Sequence, residues 1–196
     1  MARRPLAVAI TGGIAAGKSE ALAAFARHGA AVASSDEIVH RAYREDDGLK
    51  TLLRDRWGDA VFGPEGEVDR AAVGRIVFAD PDELDWLERQ VHPRVVRAHE
   101  AWLEELRSRD EPPALAVVEV PLLYETGGER RFDKVVVVTA PAAVRAERRD
   151  GFAGREARLV PEEEKLDRAD FAFVNDGTLA ALDEFVAGVV ERLASD

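Results

Sequence analysis

The chain has 196 residues, 46% of them hydrophobic and 33% charged, the composition of a folded domain with a full core and not of a disordered segment. It carries no cysteine, which excludes a disulfide framework and a thiolate metal site. A formal net charge of −11 argues against a general nucleic-acid binder, so an anionic ligand must be held by a local site working against the global field.

Arg3 and Arg4 precede an apolar run as in a secretory signal, but Gly12, Gly13 and Lys18 interrupt that run too early for a secretory core. Residues 6–11 read as a buried strand ending at glycines. Residues 18–27 read as an amphipathic helix, with Gly29 just past its end. A short strand at 30–33 leads to a helix at 36–44, with Ser35 or Asp36 placed to cap it. Helices are predicted at 49–57, 69–79 and 82–91, the last entered through the capping pair Asp80-Pro81. His92-Pro93 marks a break before a further helix at 93–108.

Residues 114–124 are the other apolar stretch. It is short and holds Glu119, so no membrane span is expected. Within it, 116–120 reads as a β-branched strand without alternation, as does 135–139, the pattern of strands covered on both faces. Residues 171–174 read as a fifth strand and 178–194 as a closing helix. Strands alternating with helices predict an α/β fold with a parallel sheet of about five strands. The helical run 36–109 is too long for a crossover. It reads as an insertion into a core formed by 1–35 and 110–196, in one domain overall.

The stretch from Gly12 to Ser19 matches the pattern G-x-x-x-x-G-K-[ST], between a predicted strand and a predicted helix. Backbone N–H groups converge on phosphate oxygens there, and bulky side chains would block the approach. The helix N-terminus adds favourable partial charge. Gly12, Gly13, Ile14, Ala15, Ala16, Gly17 and Glu20 are therefore expected to surround a nucleotide's phosphates. Lys18 reaches the β- and γ-phosphates as a cation, and the Ser19 hydroxyl is a ligand for Mg²⁺. ATP and Mg²⁺ are the implied donor and metal.

Ligands in such sheets bind beyond the carboxyl ends of the strands. Asp36 follows the second strand, as a base or orienting group for an acceptor alcohol or as a helix cap. Glu119 ends the third strand, as a partner of the Mg²⁺ shell or an acid paired with a neighbour. Asn175 follows the fifth strand at the same edge. Arg145 and Arg149 stand one helical turn apart, as a phosphate clamp or a solvated face pairing with Glu162, Glu163 and Glu164. Arg155 and Arg158 fall in a glycine-containing stretch, part of a lid expected over 150–165.

Taken together, these residues resemble the dephospho-coenzyme A kinases over nearly the whole chain. The segments that carry the resemblance are "TGGIAAGKS", "VASSDEIVHRAY", "DRAAVGRIVFADPDELDWLERQVHPRVV", "VVEVPLLYE" and "FVNDG". The phosphate loop is generic; the ordered set, above all "HP" and "PLLYE", is specific. The resemblance implies transfer of the ATP γ-phosphoryl group to the ribose 3′-hydroxyl of dephospho-coenzyme A, in the cytoplasm. Asp36 matches the family's base, Arg145 and Arg149 its paired arginines, and Arg158 its lid arginine. Departures from the family's pattern are Ala15 and Ala16 for a glycine and a serine, Glu20 for a threonine, and Ser34 for an aspartate. A glutamine before Arg145 is missing, and the lid is several residues short. A nucleoside-monophosphate-type kinase would share the loop without "HP" and "PLLYE". A guanine-specific switch would carry N-K-x-D, which does not occur here.

Overall fold

The computed structural model describes residues 4–148 and 159–195. Five strands form one parallel sheet: β1 (Leu6–Gly12), β2 (Ala31–Ser34), β3 (Leu115–Glu119), β4 (Lys134–Thr139) and β5 (Phe171–Val174). The spatial order is β2-β3-β1-β4-β5, with β1 at the centre. Ile10 lies opposite Glu119 on one side and Val136 on the other. Because every pairing is parallel, the carboxyl ends Gly12, Ser34, Glu119, Thr139 and Val174 share one edge. The apolar runs of β1, β3 and β4 are buried nearly end to end, as strands without alternation require.

The chain divides into two compact units, residues 1–34 with 103–196 and residues 35–102. In the first, α1 (Lys18–Arg27) and α8 (Leu179–Ser195) pack on one sheet face. Phe25 and Leu22 of α1 and Leu182, Val186 and Val189 of α8 meet Val8, Ile10, Val117 and Val136 there. Two short helices, α6 (Ala142–Arg148) and α7 (Glu162–Asp167), lie between β4 and β5 in the chain. Thr178 stands just before α8, and its hydroxyl accepts the Ala181 N–H at 3.2 Å.

The second unit is helical: α2 (Ser35–Glu45), α3 (Asp47–Trp57), α4 (Arg70–Ala79) and most of α5 (Pro81–Arg107). It has its own core of Tyr43, Leu49, Leu53, Val61, Val73, Val77, Leu87 and Val91. Asp46 caps α3 by accepting the Leu49 N–H at 2.8 Å, and Asp69 caps α4 through the N–H groups of Ala71 and Ala72.

Two local expectations are corrected. The break at His92-Pro93 is absent: α5 runs through Pro93 as one helix of 27 residues. Leu87, Val91 and Val95 lie four apart on either side of the proline and all pack into the same core, so burial holds the helix across one lost N–H. The N–H that Pro93 lacks would have served the Arg89 carbonyl four residues back; the next carbonyl, that of Gln90, accepts from Arg94 Nη1 at 2.6 Å. The second correction concerns α2, which begins at Ser35 itself, so Asp36 lies inside the first turn and not at the cap.

Candidate functional site

The site grows from the end of β1. Gly12 has φ +141°, and a Cβ there would overlap the Val138 backbone of β4. Only glycine lets the central strand turn out of the sheet against its neighbour. Gly17, at φ +100°, is the N-cap of α1, and its carbonyl accepts the Ala21 N–H at 3.0 Å. Between them Ala15 has φ +58°, the left-handed conformation that glycine adopts without cost. The alanine that departs from the family pattern thus stands where the backbone asks for glycine.

Lys18 opens α1 and folds back over the loop. Its Nζ donates to the carbonyls of Gly13 at 2.8 Å and Gly12 at 3.3 Å. The ammonium is therefore held at the loop's mouth by backbone acceptors that an anionic ligand would replace. Glu20 is exposed in the first turn of α1.

Ser19 and Glu119 come together across 100 residues of sequence. The Ser19 hydroxyl donates to the Glu119 carboxylate at 3.3 and 3.4 Å, and Glu119 is buried. A hydroxyl and a carboxylate this close are hard oxygen donors of the kind Mg²⁺ takes while keeping several waters, so the pair fits that ion. Among the described residues no cluster of three or more His, Cys, Asp or Glu side chains forms a metal cage.

Asn175 lies under the loop. Its Nδ2 donates to the Ala16 carbonyl at 2.8 Å, its N–H donates to Thr139 at 2.6 Å, and the residue is buried. The side chain that sequence reading places against the nucleotide here braces the loop's backbone. Arg145 is buried on α6, with Nε donating to the Ala140 carbonyl at 2.9 Å and Nη2 4.0 Å from Glu162 Oε2. A Cβ on Gly13 would lie 3.3 Å from Arg145 Nη1, so the guanidinium borders the loop.

Arg148 was missed. Its Nη1 lies 3.4 and 3.5 Å from the carbonyls of Ala15 and Ala16, and its Nη2 lies 3.5 Å from that of Asn175. Counting four residues from Arg145 selects Arg149, but three residues on is equally the same helix face, and that spacing would have found Arg148. Arg149, Arg155 and Arg158 lie outside the described residues, as does most of the stretch read as a lid. Asp36 belongs to the helical unit; it is exposed and has no hydrogen-bond or ion-pair partner among the described residues.

The segment after β3 is anchored by two consecutive residues. Tyr124 donates its hydroxyl to the Arg168 carbonyl at 3.1 Å, and burial pushes its phenol pKa up, keeping it a donor. Glu125 Oε1 accepts from Lys165 Nζ at 2.7 Å and from the Val160 N–H at 3.0 Å.

The family model described as dephospho-CoA kinase matches residues 6–181. A dephospho-CoA kinase of Anaeromyxobacter dehalogenans is 40% identical over 197 residues, covering 96% of this chain and 90% of the relative. The crystal structure of TT1252 from Thermus thermophilus superposes with a TM-score of 0.75 at 36% identity, covering 97% of this chain and 98% of that one. A dephospho-CoA kinase from Campylobacter jejuni superposes with a TM-score of 0.72 at 25% identity, covering 96% and 97%. With the parallel sheet, the phosphate loop and these likenesses together, the chain belongs to the dephospho-CoA kinase family of P-loop phosphotransferases.

Proposed function

We propose that this chain transfers the γ-phosphoryl group of ATP to the ribose 3′-hydroxyl of dephospho-coenzyme A, with Asp36 receiving the hydroxyl proton. The observation that supports it most is the loop from Gly12 to Ser19, with Lys18 turned over its mouth and Ser19 set against Glu119. The acceptor oxygen forms a bond to the γ-phosphorus, the bond from that phosphorus to the β-phosphate bridge breaks, and ADP leaves. Lys18 and Arg145 stabilise charge on the transferring group, and Arg148 steadies the loop. Arg149 and Arg158 are assigned further phosphate contacts, on the family resemblance. Ser19 and Glu119 would hold Mg²⁺, which when bound neutralises charge on the β- and γ-oxygens.

The helical unit is assigned the acceptor, because a body with its own core carries Asp36. Among the described residues no helix is long and apolar enough to cross a membrane. A cysteine-free chain suits the reducing cytoplasm proposed as its setting.

A coupled assay with ATP, Mg²⁺ and dephospho-coenzyme A tests the reaction, and Asp36→Asn tests the base. Asparagine removes the proton acceptor and keeps the size of the side chain. The expected outcome is an intact fold and normal ATP binding with a transfer rate lowered about a hundredfold or more. An unchanged rate would remove Asp36 from the chemistry.

A further inference from the structure

The "PLLYE" segment is specific to this chain's family resemblance, yet no step of the reaction uses it. Its last two residues take hold of both ends of α7. Glu125 accepts the N–H of Val160, just before that helix, and Tyr124 donates to the carbonyl of Arg168, just after it. Between these points Glu125 also pairs with Lys165, which is only 2% exposed.

An ammonium buried to that degree is costly unless paired, and an apolar pair would join two elements as firmly without the cost. What an ion pair adds is direction: it fixes rotation and register. The neighbour that depends on this is Glu162, one turn earlier on α7. Its carboxylate lies 4.0 Å from the Arg145 guanidinium and 3.5 Å from where a Cβ on Gly13 would be. Gly13, Arg145, Val160, Glu162 and Lys165 line one cavity of about 190 Å³ beside the phosphate loop. The contacts thus run from Glu125, in the segment after β3, through Lys165 to Glu162, and from there to Arg145.

We propose that Glu125 and Lys165 are positioning residues that set α7 so that Glu162 orients the Arg145 guanidinium toward the phosphate loop. The proposal rests on the kinase reading above, in which Arg145 meets the transferring phosphoryl group. Misplacing a charge donor by about 1 Å costs up to a hundredfold in rate. Loosening the pair therefore acts on turnover more than on ATP affinity.

The test is the double variant E125Q/K165M in the full chain. Glutamine keeps an acceptor for the Val160 N–H, methionine keeps the length of the lysine stem, and neither leaves an unpaired buried charge. The expected result is a folded protein, by circular dichroism and thermal melting. Its kcat for phosphorylation of dephospho-coenzyme A falls about tenfold or more, and its KM for ATP stays within about twofold. Added to Arg145→Ala, the double variant should cost almost nothing further, because both changes remove the same orientation. Glu162→Gln, on a partly exposed side chain, tests the same route if the buried pair cannot be replaced. It should lower kcat and be non-additive with Arg145→Ala in the same way. A folded E125Q/K165M with wild-type kcat overturns the proposal. So does full additivity with Arg145→Ala, a rate loss that only tracks the folded fraction, or a Glu162→Gln variant with unchanged kcat. Wild-type transfer is the control: its absence overturns the acceptor reading and this proposal with it, whereas failure of the proposal alone leaves wild-type transfer intact.

Discussion

Gly12 and Gly17 are glycines for different reasons. A Cβ at Gly12 would run into the Val138 carbonyl, which belongs to the sheet and cannot give way. A Cβ at Gly17 would run into the side-chain amide of Asn175, which can rotate aside. Gly12→Ala should therefore cost more than about 4 kcal/mol and leave little folded protein. Gly17→Ala should fold with a loss of about 2 kcal/mol, from its positive φ and the displaced Asn175–Ala16 bond. Urea denaturation of the two variants checks this, and equal losses would sink the distinction. Lys18 makes a different kind of contribution. Its hydrogen bonds to the Gly12 and Gly13 carbonyls are modest net contributors to stability, so Lys18→Ala should cost no more than about 1–2 kcal/mol of folding stability. It should raise the barrier to transfer by about 3 kcal/mol, as expected for losing a preorganised charge donor. Near-normal turnover in that variant would remove Lys18 from transition-state stabilisation.

At the scale of elements, α5 shows how burial overrides a local breaker. Pro93 interrupts the hydrogen-bond ladder of a 27-residue helix, yet Leu87, Val91 and Val95 seat both halves in one core. Because proline is about 3 kcal/mol worse than alanine in a helix interior, Pro93→Ala should raise stability by about 1–3 kcal/mol. The gain is smaller than the full difference because the core around Leu87, Val91 and Val95 already holds the helix across the proline. Thermal melting checks it, and a lower melting temperature would mean that the core needs the proline ring. The loop and α1 depend on a different principle. Strand, turn and helix are consecutive there, so the site's backbone is built almost entirely from local sequence.

For the whole molecule, the acidic charge has a pH consequence. Among the described residues, three carboxylates are held below their ordinary range. At Asp183 the cause is hydrogen bonds first from Arg27 and then from His28; at Glu83, from Arg56 and then Trp57. At Asp46 burial pushes upward, but the bonds from Leu49 and Arg94, with the charge of Arg94, outweigh it. A depressed folded pKa adds stability that is fully present above the unfolded values, 3.8 for aspartate and 4.5 for glutamate. That stability is lost as pH falls through the folded values. The triple variant Asp46→Asn, Glu83→Gln and Asp183→Asn should be less stable at pH 7 and should lose less than wild type between pH 7 and pH 3. Urea midpoints at the two pH values test this, and parallel losses would refute it.

Sequence alone determined the phosphate loop, the nature of the strands and most helix boundaries, because each depends on residues close together in the chain. Glycine spacing, β-branched runs and caps such as Asp80 act over a few residues. It also singled out Lys18, Ser19, Glu119 and Arg145, all four of which the fold gathers at the carboxyl edge of the sheet. Tertiary structure decided what depends on distant partners. The order β2-β3-β1-β4-β5 follows from strands as far apart as β1 and β3 burying both faces, which no local pattern encodes. The continuity of α5 needed the core that receives it, and Arg148 needed the loop it reaches. Lys165 reads in the sequence as one charge in an acidic run. Only the packing of α7 against the segment after β3 buries it against Glu125, because desolvation and pairing arise when elements meet and not before.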